Sequence, residues 1–584
     1  MKESAARIDE FINANLKRNN VPPNGKISDA VFVRRTYLHL AGRIPKYEEV
    51  VVFLSDKSPD KRAQLIDHLL SSQDHVSHMF NYWGDILRLQ DHPLNNNQFA
   101  QPYHEWIKKS LAENTPYNQW VMQMITAEGR LWENPAAGYS TRDAGMELDH
   151  VDYTVQVFLG TQIGCAQCHD HPFDRWTQKE FYQMAAFLYP TQSRIGAGDK
   201  KRYPDGNPVE RIRHEMKKID PKYNVNGSFS RIMNANLFEV IENPGRRLKL
   251  PHDYQYDTGK PFDVVTPRPI FGEEIRINKG ESPKAVFATW LTSSENPRFA
   301  KNIANRMWKK AFGVGLIDPV NDIRDESVAS NPELLDFLTS ELIRLEYDIR
   351  ELQRMIAYTS AWQREAQVRE VTDETPYHFP GPTLRRMSAE QLWDSLLTLA
   401  VYEFESFTRP STKGLAETIN LDLKTTNAEA VRAAAEAYEA KYSDQAQRKY
   451  VQSRNSYKGR TVLARASELP LPLPPDHFLR QFGQGDRELI EAATTDGNVS
   501  QILAMFNGEI THMMLEKGSV IYDDTIKAQS IDDRIDVIFL SILSRKATSS
   551  EDSIARSEIK AGGAAGYGNV IWSLINTKEF LFIQ

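Results

Sequence analysis

"DHVDYTVQVFLGTQIGCAQCHDHPFDRWTQKEFYQMAAFLY", Asp149 to Tyr189, sets two helix-like stretches on either side of a turn-rich segment. In the first, Val151, Val155, Phe158 and Leu159 share one face at helical spacing. In the second, Thr177 and Glu180 have the spacing of a capping box. Between them Pro172 pushes its predecessor out of helical geometry. The stretch reads as helix, loop, helix. Its loop, "GCAQCHDHPFDRW" (Gly164 to Trp176), holds both cysteines of the 584-residue chain.

The helical pattern extends outward. "DAVFVRRTYLHLAGRIP" reads as a helix stopped at Gly42, with Pro45 beyond it. "SPDKRAQLIDHLLSS" predicts a helix capped by Ser58 with Pro59 in its first position. With "EWIKKSLAE" and "YNQWVMQMITAE", these make residues 1–190 one helical domain. Residues 191–262 change character: "GAGDKKRYPDGNP" is turn-rich, and "RRLKLPHDYQYDTGKPFDVVTPRPIFG" suggests short strands and extended chain. Helical periods return in "RFAKNIANRMWKKAF", "PELLDFLTSELIRL" and "SAEQLWDSLLTLAV", and the Ala-rich 427–452 favours helix, giving a second helical domain over 263–584. "LPLPLPPDHF" reads as an extended internal tie, because leucines fill the places between prolines. The expected fold is mainly α: a multi-helical, two-domain protein with a small β or extended insertion between the helical regions.

Apolar residues at 41% and charged residues at 26% fit a globular protein in water. A net charge of −7 argues against general attraction to nucleic acid or anionic lipid. No apolar run is long enough to span a bilayer. "MKESAARIDEFINANL" opens as an amphipathic helix without an apolar signal core, so the expectation is a cytosolic protein or one whose export signal has been removed. Confining both cysteines to one motif suits an oxidising compartment, where stray thiols are a liability.

C-x-x-C-H is the haem-attachment pattern. Two thiols, here Cys165 and Cys168, add to the two vinyl groups on one porphyrin edge, and the next residue, His169, is held under the iron as an axial ligand. Other readings stay open. Two thiolates with His169 or His171 could join a zinc site. Cys165 and Cys168 could instead form a redox centre, a structural disulfide that ties the loop, or two buried thiols. Asp149, His150, Asp152, His169, Asp170, His171 and Asp174 also form a dense acid and imidazole group, from which His150, His171 and Asp174 could hold zinc or iron without haem. Asp174 could instead orient an imidazole. A sixth haem ligand is not evident. His150 lies nineteen residues before His169, about 28 Å away were the span one straight helix, and Met146 and Met184 are alternatives. Phe173, Trp176 and Tyr182 serve either as core or as pocket wall. There is no G-x-S-x-G elbow, phosphate loop or H-E-x-x-H helix.

"FLGTQIGCAQCHDHPFDRWTQKEFYQMAAFL", with "IDEFINANL", "FVRRTYLHLAGRIPKYEEV" and "LIDHLLSS", resembles the planctomycete cytochrome C-like domain of the PSCyt type. "WLTSSENPRFAKNIANRMWKKAFGVGLIDPVND", "RRMSAEQLWDSLL" and "RASELPLPLPPDHFLRQFGQGDRELIE" resemble the planctomycete-specific PSD-type domain that usually follows it. The resemblance implies an exported bacterial protein, periplasmic or at the cell surface, with at most one haem on Cys165, Cys168 and His169. The family signature runs on through "HPFD", which brings in His171 and Asp174. The leading expectation is an extracytoplasmic c-type monohaem protein working in electron transfer or haem-based redox chemistry. Its partner would be a redox protein or a small-molecule or glycan substrate, not nucleic acid. The alternatives are a non-haem, zinc or iron metalloprotein of hydrolytic type, and a structural or substrate-binding surface protein with a Cys165–Cys168 disulfide.

Overall fold

The computed structural model describes every residue except 94–98, 273, 369–375, 448, 450–455 and 458–459. It is mainly α-helical, and its named strands form three two-stranded antiparallel pairs. No helix among the described residues is long and apolar enough to cross a membrane.

The expected helices form, and their ends follow local chemistry. Ser28 caps Asp29–Thr36, which runs into a π-helical turn, Tyr37–Ala41, and stops at Gly42 in left-handed geometry. Thr177 and Glu180 close the anticipated capping box on Gln178–Ala185. One start is displaced: the helix expected from Ser58 and Pro59 begins at Lys61. The Ser58 amide donates to Asp56 Oδ1 and the Asp60 amide to Ser58 Oγ, so a turn occupies the place of the first helical residues.

The connecting region 191–262 departs from expectation in part. Its strand Ile241–Glu242 pairs with Thr191–Gln192, and a bridge joins Lys249 to Val264. It also holds two helices, Pro208–Ile219 and Ser228–Ala235. The first follows from Asn207 as a cap, Pro208 in the first position, and Val209, Ile212 and Met216 on one face. The Ala-rich segment is helical over Ala428–Lys441; part of its remainder lies outside the described residues.

Packing interleaves the regions. The largest core joins the N-terminal helices to Phe287, Phe299, Trp308, Leu338 and Trp362. A second core surrounds Ala389–Ala400, every residue of which is buried, polar Glu390, Asp394 and Ser395 included, and takes in Leu38 and Ile44 from near the start of the chain. A third packs Ile212, Phe229 and Ile232 against Val431 and Tyr438. The leucines of "LPLPLPPDHF" act as a tie: Leu471 is buried, its carbonyl accepts from the Asp91 amide at 2.7 Å, and its amide donates to Asp91 Oδ2 at 3.1 Å.

Candidate functional site

Helix Glu147–Leu159 leads into the cysteine loop, and Gly160 ends it with φ 62°. A Cβ on Gly160 would lie 2.7 Å from Asn302 Oδ1 and 2.8 Å from the Val320 carbonyl oxygen. Only glycine lets the chain turn there against Phe299–Phe312. Asn302 Nδ2 donates to the Val157 carbonyl at 2.9 Å, which fixes the two helices together. The chain then forms a single 3₁₀ turn, Gly164–Gln167, that carries Cys165.

Asp152 reaches back along the helix to hold this turn. Its Oδ1 accepts the Ile163 amide at 3.3 Å, and the Gly164 amide also points at the carboxylate. Burial raises the Asp152 carboxyl to about 6, the two amides offset part of that, and Asp149 adds to it. Gly164 is glycine because a Cβ would sit 2.8 Å from Asp152 Oδ2. On the far side Gln178 Nε2 donates to the carbonyls of Gln167 and Cys168, at 3.2 and 3.0 Å. Asp170 Oδ1 accepts the Gln178 amide at 2.8 Å, and the Asp170 amide donates to the Tyr256 hydroxyl at 2.8 Å. Ala166 is fully buried as the anchor of the turn. Cys165 and Cys168 are exposed free thiols.

The two imidazoles of the loop differ chemically. His169 Nδ1 lies 2.7 Å from the Asp170 carbonyl oxygen, which can only accept. The Nδ1 proton is therefore fixed there, and Nε2 keeps a free lone pair on an exposed side chain. Metal-bound histidines ordinarily have this arrangement, the second ring nitrogen donating to a carbonyl or carboxylate. His171 is the reverse: its Nδ1 accepts the Phe173 amide at 3.2 Å, so Nε2 carries the proton. Asp174 Oδ1 accepts the Arg175 amide at 2.7 Å.

His150 stands elsewhere. It lies in the first turn of Glu147–Leu159, just after Met146, and its ring is committed to Asp143 rather than to the cysteine turn. His150 Nδ1 is 3.0 Å from Asp143 Oδ2, and both Asp143 oxygens accept from Arg88 Nη2. Burial acts against the Asp143 charge, but these partners hold its carboxyl below the usual range. Met184 is fully buried in the core. Among the described residues no three His, Cys, Asp or Glu side chains converge to hold a metal ion, so His150, His171 and Asp174 are not brought together.

Aromatic side chains surround the turn. Trp176, 2% exposed, packs edge-on against Phe271 at 5.4 Å, while Phe173 is 75% exposed. Arg175 lies over the Trp176 ring and pairs with Asp325, which also takes Arg298. Burial raises the Tyr182 hydroxyl, and Cys168 and Asp253 beside it raise it further. Asp152, Gln178 and Tyr256 brace the turn; the sequence places Asp152 in the acid and imidazole group but gives Gln178 and Tyr256 no part in it. Only Asp152 has a local signal, an acid facing a glycine just before the cysteines.

Residues 7–193 match the PSCyt2 family model, described as a protein of unknown function (DUF1549). Residues 283–559 match the PSD1 family model, described as a protein of unknown function (DUF1553). No curated protein and no solved structure matches the chain.

Proposed function

The chain belongs to the planctomycete-type architecture that joins a PSCyt2 domain to a PSD1 domain, and on that premise we propose that it is an extracytoplasmic c-type monohaem protein. The observation that carries this reading is the protonation pattern of the turn: His169 Nδ1 faces a carbonyl and leaves Nε2 bare, beside two exposed free thiols. Cys165 and Cys168 would hold the two thioether bonds and His169 would supply the axial nitrogen. Bound there, haem supplies reversible one-electron transfer.

The chain's own residues prepare the position. Asp152 and Gln178 hold the turn from its two sides, so both thiols and the imidazole face outward from a fixed backbone. Asp170 fixes the His169 tautomer through its carbonyl and ties the loop to the exit helix through its carboxylate. Phe173, exposed next to the histidines, offers an apolar surface to a porphyrin face. Covalent haem attachment is an extracytoplasmic maturation, and cysteines restricted to one motif suit that compartment.

The test is expression through a periplasm equipped with haem lyase, followed by acid–acetone extraction. The expected result is a Soret band that stays with the protein and is lost in a Cys165→Ser, Cys168→Ser double variant. A colourless protein after such maturation overturns the proposal. Zinc or iron at one equivalent in that colourless protein, measured by elemental analysis, would assign the turn to a non-haem metal.

A further inference from the structure

A second group of side chains is left unexplained by the cysteine turn. His39 lies in the π-helical turn Tyr37–Ala41, between Leu38 of the second core and Leu40 of the first. Turns of this kind occur disproportionately at functional positions. Gly42 follows with φ 72°, and a Cβ there would meet the His78 ring at 2.6 Å, so the turn closes directly onto that imidazole. Lys310, in the last turn of Phe299–Phe312, places Nζ 2.7 Å from His78 Nε2 and donates to the His39 carbonyl at 3.2 Å. Just past that helix, a Cβ on Gly313 would lie 3.5 Å from Arg385 Nη1, so the Arg385 guanidinium covers the helix end.

Buried cations are ordinarily paired, because an isolated charge loses its hydration without compensation. This chain follows the rule elsewhere: Arg43 pairs with Glu49 and Asp74, Arg88 with Asp143, and Arg409 with Asp91. Here the rule fails. Among the described residues no Asp or Glu side chain acts on Lys310, Arg385 or neighbouring Arg35, and the charges acting on Lys310 and Arg35 are cations. His39 Nδ1 and Arg35 Nη2 are buried without a partner. The other Arg35 nitrogens are committed to the main-chain oxygens of Trp362, Arg364 and Gln584.

We propose that Lys310, Arg385, His39 and His78 form an anion site for a small oxyanion, a carboxylate or a phosphate-type group. Lys310, Arg385 and His78 are half-buried, within reach of an ion from solvent, while His39 is buried. The charge state supports this. Burial and Arg385 push the Lys310 amine down to about 7, and burial holds both imidazoles well below their usual range. An anion among them would offset those shifts by favouring the charged forms. Lysine and arginine together supply a point charge and a planar fork, the usual pair for an oxyanion.

The test is titration calorimetry on the full chain with inorganic phosphate, then acetate, in low chloride. The expected result is saturable binding that weakens at least about tenfold in Lys310→Met and in Arg385→Gln, with Lys310→Arg close to the parent. Preference for phosphate identifies a phosphate-type ligand, and preference for acetate a carboxylate. Lys310→Met removes a half-buried charge that no carboxylate pairs, at similar volume, so it decides alone if Arg385→Gln fails to fold. No binding of either anion, or unchanged affinity in Lys310→Met, overturns the proposal.

Discussion

Gly164→Ala tests how the cysteine turn is held. The backbone there tolerates alanine, because Gly164 is outside the left-handed region. The obstacle is Asp152, whose Oδ2, Cγ and Oδ1 would lie 2.8, 3.0 and 3.2 Å from the new methyl. The carboxylate has to retreat, and its bond to the Ile163 amide is already 3.3 Å long. Hydrogen bonds to a charged acceptor contribute about 1.5–3 kcal/mol each. Water reaches this half-buried carboxylate and replaces part of that, and alanine recovers about 0.4–1 kcal/mol by restricting the unfolded chain. The net cost is about 1–2 kcal/mol. Urea unfolding measures it, and alkylation of Cys165 and Cys168 reports loosening of the turn as a faster or less uniform reaction. The decisive comparison is the same substitution in an Asp152→Ala background, where the methyl has nothing to meet. There the cost should fall to a few tenths of a kcal/mol. An equal cost in both backgrounds would show that Asp152 does not hold the turn.

Asp152 also makes a pH prediction. Its carboxyl is raised to about 6 in the folded chain, so the folded state binds this proton more tightly than the unfolded one. Its contribution is therefore neutral below about pH 4, becomes unfavourable as pH rises toward 6, and stays so above. The full shift corresponds to at most about 3 kcal/mol, and partial exposure reduces it to about 1–2. Asp152→Asn should raise stability by that amount at pH 7.5 relative to its effect at pH 4, read from melts at both; a gain independent of pH contradicts this. Asp143→Ala strands buried Arg88 and should cost about 3–5 kcal/mol in urea unfolding. A loss under 1 kcal/mol would mean that the Arg88–Asp143–His150 group is not a structural unit. His169→Ala should keep covalent haem while shifting the Soret maximum, since the thioethers depend only on the cysteines; an unshifted maximum removes His169 as the axial ligand.

Local chemistry was readable in the chain wherever it acts over a few residues. Thr177 with Glu180, Gly42 as a stop and Gly160 as a break are each visible within one turn. The two helices of 208–235 had signals of the same kind, Asn207–Pro208 above all, masked by the prolines and glycines around them. Long-range placement had no such signal. Tyr256 meets Asp170 across eighty-six residues, and Leu38 joins a core built mostly from residues after 387. Hydrophobic spacing marks the face of Val151, Val155, Phe158 and Leu159 but does not show that Asp143 and Arg88 await His150. Nothing in the sequence near Lys310 points to its contacts with His78 and the His39 carbonyl, 232 and 271 residues away. The difference between His169 and His171 was equally out of reach, because it depends on which ring nitrogen meets a carbonyl and which an amide.

The most direct measurement is the intact mass of the chain after secretion with haem lyase, followed by mapping of the peptide that spans Cys165 to His169. A gain of one haem, confined to that peptide and carried by both cysteines, is the predicted result. An unmodified mass, or a peptide joined only by a Cys165–Cys168 disulfide, would contradict it.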